Sequence, residues 1–341
     1  MLKIDVHTHI LPENLPDFRK APGGERFVQL DHYAPGRARM MVNGSVFREI
    51  RSNNWDVDAR LADCDAAGVG VQVLSTVPVL FSYWAEPDQA LRLARHLNDH
   101  ISEVVAARPS RFVGLGTLPM QSPDLAIHEL ERCVRNLGLS GVEIGTNVNG
   151  ANLDSPELFP VFEAAASLGA AVFVHPWEMV GRDRMARYWL PWLVGMPAET
   201  SLAICSLIFG GVLERLPKLR IAFAHGGGAF PATIGRIARG FDVRPDLCAA
   251  SNDVSPREYL KRIYLDSLVH DPPMLRYLIE LMGAERIALG SDYPYPLGEA
   301  RAGELIESCG FPEPTRARLL HGTALEWLGL PAGRFRQLTR M

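Results

Sequence analysis

Patterned cysteine is missing from this chain. Its five cysteines, Cys64, Cys133, Cys205, Cys248 and Cys309, form an odd and scattered set with no Cys-x-x-Cys spacing. That excludes a disulfide framework and suits buried thiols in a reducing compartment, so cytoplasm is the expected setting. An excess of one charge is missing too: a net charge of −4 over 341 residues gives no reason to expect nucleic acid or an anionic membrane as partner. Long apolar runs are also lacking. The most apolar stretch, SLAICSLIFGGVL from Ser201 to Leu213, follows Pro197 and Glu199 and is too short to span a bilayer, so it reads as a buried or subunit-facing helix. The opening apolar stretch is short and carries Lys3, Asp5 and two histidines, unlike a secretory leader. No Gly-x-Gly-x-x-Gly follows the first strand-like run, which counts against a doubly wound, dinucleotide-binding sheet.

What is present is a rhythm. Short β-branched, apolar runs recur as LKIDVHT, GVQVLSTV (70–77), FVGLGTLP (112–119), GVEIGT (141–146), AAVFVHP (170–176), RIAFAHGG (220–227), RIYLDSLV (262–269) and RIALGSDYP (286–294). Amphipathic stretches of helical period lie between them, such as 87–109 and 123–138, so strand and helix alternate throughout. Strands that are nearly all apolar are expected when both sheet faces are buried. Eight such units predict a (β/α)8 TIM barrel, with residues 1–341 as one domain.

One segment, about 12–54, breaks the pattern. Within it ARMMVNGSVFREIR (38–51) alternates around Asn43-Gly44, a strong hairpin signal, and predicts a β-excursion over the barrel mouth. On its second strand Val46, Arg48 and Ile50 are expected on one face, and Phe47, Glu49 and Arg51 on the other.

The metal-capable side chains fall at the ends of the strand-like runs. His7 and His9 end the first, His175 the fifth, His225 the sixth and Asp292 the eighth. In a β/α barrel all carboxyl ends meet at one rim, so residues far apart in sequence converge there. Burying so many unpaired polar groups together costs several kcal/mol unless something satisfies them, and a metal ion would. Three imidazoles and a carboxylate with an open position suit catalytic zinc first, although imidazole also suits Fe, Co, Ni and Cu. The fourth run, GVEIGT, carries no lysine to bridge a second ion, so one metal is expected. His225, followed by three glycines, is either a fourth nitrogen ligand or a base beside the metal's water, and is assigned as the base. His32, His96, His100, His128, His270 and His321 lie off this rim and are expected to be solvated or locally bonded.

The His-x-His on the first strand, with His on the fifth and sixth and Asp on the eighth, resembles the amidohydrolase superfamily in its decarboxylase branch. Segments such as KIDVHTHILP, VFVHPWEM, RYWLPWLVGMPAET, FAHGGGAFP and GSDYPYPLGE carry the likeness. The resemblance implies that His7, His9, His175 and Asp292 bind Zn²⁺ with water completing the shell, and that His225 deprotonates this water. It implies two substrate-carboxylate arginines, Arg48 and Arg236, the latter reaching the neighbouring subunit of a homodimer. Trp189, Trp192 and Tyr295 are expected to line the pocket, Tyr295 standing where related chains can carry Phe. The implied reaction is zinc-dependent, non-oxidative decarboxylation of a small dicarboxylate, with Asp292 relaying the proton, in tryptophan breakdown or related nitroaromatic degradation. The alternatives are a hydrolase, another decarboxylase acting on an aromatic acid, or an inactive binding protein that keeps the barrel.

Overall fold

All eight apolar runs form strands that lie parallel, in chain order, around one sheet. The computed structural model describes residues 1–21 and 23–339. In chain order its strands are β1 (Ile4–His9), β2 (Gln29–Ala34), β3 (Arg37–Val42), β4 (Ser45–Arg51), β5 (Val71–Ser75), β6 (Phe112–Thr117) and β7 (Gly141–Gly145). They continue as β8 (Asn147–Val148), β9 (Ala151–Asn152), β10 (Ala171–His175), β11 (Arg220–Phe223), β12 (Tyr264–Asp266) and β13 (Ile287–Ala288). The eight-stranded sheet runs β1-β5-β6-β7-β10-β11-β12-β13. Its ends meet: Val6 N–H donates to Leu289 O and His9 N–H to Tyr293 O, each at 2.8 Å. The expected (β/α)8 barrel is therefore the observed fold, and the open doubly wound sheet is excluded.

Two layers of core hold the barrel. Ile4, Val6, Val71, Val73, Leu115 and Phe173 fill its interior, with Trp327 packed below them. Outside, the helices turn Leu130, Phe162, Ile204, Phe230 and Leu278 onto the strands. Burial of each such side chain contributes roughly 1.5–3 kcal/mol. The helix predicted near Asp56 runs over Val57–Ala67, with the Asp56 side chain accepting from Asp58 N–H and Ala59 N–H and with Gly68 ending it at φ 70°. All five cysteines are free thiols.

The excursion is larger than a hairpin. Asn43 and Gly44 take φ 50° and 71°, as the expected turn requires, but β2 joins as a third antiparallel strand. The predicted faces of β4 are also corrected. Met41 pairs with Val46 and Met40 with Arg48, leaving Phe47 as an extra residue in a β-bulge. The bulge breaks the alternation: Val46 turns to solvent, while Phe47 and Arg48 both line the cleft beneath.

The apolar stretch at 201–213 also differs from expectation. A five-residue π-helical turn, Pro191–Gly195, runs directly into the helix Met196–Phe209. The joined segment is 19 residues long and matches a membrane span in length and composition, but half of it is buried within the protein.

Candidate active site

The first strand begins the site with an irregularity. Asp5 pairs with Gln72 and Thr8 with Leu74, so Val6 and His7 together oppose one residue of β5, a bulge. The His7 N–H reaches Asp5 Oδ1 at 3.3 Å, and Ser291 N–H donates to the same oxygen at 3.0 Å. Burial pushes the Asp5 carboxyl up to about 7. His175 ends β10, while His225 and Asp292 follow β11 and β13 with left-handed φ of 56° and 57°. Such values are uncommon outside glycine and concentrate at functional sites.

Barrel closure gathers all five predicted groups. The ring centroids of His7–His9, His7–His175, His9–His175 and His7–His225 are each 5.1 Å apart, and those of His175–His225 are 5.0 Å apart. Asp292 Oδ1 lies 3.1 Å from His9 Nε2 and 3.5 Å from His7 Nε2. Its Oδ2 is 3.9 Å from His225 Nε2. One donor atom each from His7, His175, His225 and Asp292 falls within 4.8 Å of the others. Proximity alone therefore keeps both roles for His225 open.

The outer nitrogens differ from ring to ring. His7 Nδ1 donates to Asp266 Oδ2 at 2.7 Å, His9 Nδ1 to Thr76 O at 2.8 Å and His175 Nδ1 to Pro176 O at 3.0 Å. A carboxylate or carbonyl oxygen only accepts, so each of these three rings carries its proton on Nδ1 and turns Nε2 inward, the arrangement usual for metal-ligating histidines. His225 Nδ1 is buried without a partner among the described residues. Three of the rings are thus anchored at Nδ1, and His225 is not.

Electrostatics follow from burial and these contacts. Burial holds His175 well below its ordinary value and lowers His9 as well. For His225 burial also works downward, but the Asp292 carboxylate outweighs it and the net shift is upward. Burial alone would raise Asp292, yet the neighbouring His225 and His9 rings hold it well below the usual carboxylate range.

Above the cluster lies a cleft lined by His9, His175, Asp292, Phe47, Arg48, Trp177, Trp189, Trp192 and Tyr295. Arg48 places its guanidinium 4.3 Å from the centre of the Tyr295 ring. Trp189 and Trp192 stack obliquely with centroids 5.8 Å apart. Arg236 is not brought to this cleft; it is exposed on the outer helix Phe230–Val243.

Sequence reasoning missed Asp266, at the end of β12 directly behind His7. It also passed over Glu143 on β7 except to note the absent lysine. Glu143 is fully buried, 3.8 Å from His9 Nδ1, and burial raises its carboxyl well above the ordinary range. Asp266 stands at the carboxyl end of its strand, where testing every strand end for polar residues would have found it, whereas Glu143 lies in the middle of β7. Among the histidines off the rim, His32 and His96 bond locally to Glu13 O and Asn14 O. His100 does not fit that expectation: its Nε2 is buried with no partner among the described residues.

The family model described as Amidohydrolase matches residues 4–330. The chain belongs to the amidohydrolase family. It is 58% identical over 335 residues to 2-amino-3-carboxymuconate-6-semialdehyde decarboxylase of Dictyostelium discoideum, covering 98% of this chain and 93% of that protein. The Caenorhabditis elegans protein of the same name is 40% identical, over 96% of this chain and 94% of its own. Among solved structures, 5-carboxyvanillate decarboxylase from Sphingomonas paucimobilis superposes with a TM-score of 0.76 at 32% identity, covering 82% of this chain and 85% of that one. This amidohydrolase is thus an enzyme of the decarboxylase branch, its convergent His and Asp donors facing a cleft that Arg48 overhangs.

Proposed function

We propose that the enzyme decarboxylates 2-amino-3-carboxymuconate-6-semialdehyde, giving 2-aminomuconate semialdehyde and CO₂, with one Zn²⁺ held by His7, His9, His175 and Asp292. The observation that carries the reading is the guanidinium of Arg48 set over the same cleft into which those donors open. The donor set fits a cation: His175 Nε2 is buried with no partner among the described residues, and a buried lone pair left unsatisfied is costly. Three nitrogens and a carboxylate oxygen suit zinc in particular. When bound, such an ion acts as a Lewis acid and lowers the pKa of a coordinated water, for zinc from about 15.7 to about 7.

The chain's own residues do the rest. Arg48 pairs with a substrate carboxylate, and the aromatic walls of Trp189, Trp192 and Tyr295 hold the conjugated chain and exclude water. His225, unanchored at Nδ1 and lining an adjoining pocket with Trp192 and Asp292, takes a proton at Nε2 as general base while a hydroxyl adds to the conjugated substrate. The π pair displaced by that addition moves to the carbon bearing the carboxylate, which takes a proton relayed through Asp292. When the C–C bond then breaks, CO₂ leaves, its electron pair re-forms the double bond, and the hydroxyl departs as water with the proton held on His225.

A second copy of the chain completes the reading. Tyr188, Leu193, Val194 and Leu202 are exposed apolar side chains near the cleft, which supports a homodimer covering them, with Arg236 serving the neighbouring site. Five free thiols support a reducing, cytoplasmic setting.

Measuring CO₂ release from freshly generated semialdehyde tests the substrate directly. The expected outcome is zinc-dependent release with loss of the substrate chromophore. Release only from an aromatic acid such as 5-carboxyvanillate would replace this substrate with the alternative.

A further inference from the structure

Asp266 connects two parts of the site that the reaction uses for different purposes. Its carboxylate is fully buried and accepts four N–H groups: His7 Nδ1 at 2.7 Å, His225 N at 2.9 Å, Gly226 N at 2.7 Å and Leu268 N at 3.1 Å. The first two fall on one atom, Oδ2. A single oxygen therefore fixes the tautomer of His7 and the backbone position of His225.

The turn that carries His225 is built around this anion. His225, Gly226, Gly227 and Gly228 all have left-handed φ, at 56°, 60°, 74° and 61°. Successive N–H groups in such a turn converge on one side and make a concave anion site, here filled by the Asp266 carboxylate. Three of the four positions are glycine and adopt this conformation freely, whereas His225 does so against its Cβ. Strain of this kind persists where surrounding bonds over-determine it, and the bonds at 225 and 226 both end on Asp266.

The backbone of the last strand presses on the same pair. A Cβ at Gly290 would lie 2.7 Å from Asp266 Cβ and 2.9 Å from His7 Cβ, so only glycine lets the chain close against them.

We propose that Asp266 is a positioning residue that couples metal uptake at His7 to placement of His225. The inference rests on the reading of His7 as a ligand and His225 as the base. A cation on His7 Nε2 polarises the Nδ1–H and strengthens its bond to Asp266, whose Oδ2 also seats His225. The coupling is reciprocal, so disorder at His225 weakens the ion and loss of the ion loosens His225.

The variant D266N keeps the shape but offers one accepting oxygen, and its amide hydrogens oppose either His7 Nδ1–H or the backbone N–H groups. Equilibrium dialysis against zinc with a competing chelator is expected to show affinity reduced about 10- to 100-fold. At saturating zinc, kcat falls at least ~10-fold with KM unchanged. In an H225A background, D266N lowers kcat no further. Wild-type zinc affinity in D266N, or a kcat loss that persists undiminished in the H225A background, overturns the proposal.

Should D266N not fold, hydrogen exchange on the unmodified enzyme decides. The amides of His225 and Gly226 are expected to be protected and to slow further when zinc is added, while equal exchange with and without zinc refutes the coupling. Dialysis and exchange need no substrate, so their outcome stands apart from that of the CO₂ assay.

Discussion

His7 Nε2 and His9 Nε2 stand 3.2 Å apart, and in the neutral rings neither carries a hydrogen. Their protons are committed outward, to Asp266 and to the Thr76 carbonyl. Two lone pairs opposed at that separation repel unless a cation lies between or above them. The barrel therefore holds a destabilising arrangement that a bound metal ion would convert into a stabilising one.

Stability should accordingly depend on metal. Dialysis against a chelator lowers Tm, and zinc at about a thousand times its Kd restores roughly 4 kcal/mol. Scanning calorimetry on stripped and reloaded protein reads the difference directly. A Tm indifferent to both treatments would remove the repulsion argument.

His225 and the ligands should separate cleanly. His225→Ala is expected to keep one zinc per chain and to lose about 10²- to 10⁴-fold in kcat, the usual contribution of a general base. His175→Ala should lose zinc as well as activity. Zinc analysis beside steady-state kinetics distinguishes the two, and zinc loss in His225→Ala would make that residue a ligand.

Arg48→Ala should raise KM for the dicarboxylate about 10- to 100-fold, matching the roughly 1.5–3 kcal/mol of a charge-assisted bond. The effect on kcat should be smaller. An unchanged KM would show that the carboxylate is held elsewhere.

Arg236 lends itself to complementation. Arg236→Ala and His225→Ala are each expected to be nearly inactive. If Arg236 serves the neighbouring site, mixed dimers of the two regain activity, because one site then has both residues intact. Mixing that restores nothing would confine Arg236 to its own chain.

His100 predicts a pH effect on stability away from the cleft. Burial lowers its pKa from 6.5 to about 4, so between those values the unfolded chain binds a proton that the folded one refuses. The contribution is neutral above about pH 6.5 and increasingly destabilising as pH falls toward 4. Urea midpoints at pH 7 and pH 5 should converge in His100→Phe relative to the native protein. An unchanged pH dependence in that variant would contradict the assignment.

The legible parts of this protein were those with a period or a recurring position. Strand-helix alternation defined the barrel, and residues at strand ends defined its rim, because closure forces those ends together whatever their distance in sequence. The strand β2 was not legible, since Gln29–Ala34 lies largely at the surface and shows no apolar alternation. Phe47 and Arg48 share the cleft through a bulge, and a bulge changes the two-residue period without marking the sequence. Asp266 sits inside an apolar run where one acidic residue looks like a break in the strand. Only its four converging N–H groups reveal that the turn at His225 was folded around it.

The most direct test of the account is the metal content of active enzyme and of ligand variants, by elemental analysis after gel filtration. One transition-metal ion per chain in the native protein, lost in His7→Ala and His175→Ala and kept in His225→Ala, is the expected result. Full activity in protein free of transition metal would contradict the central claim.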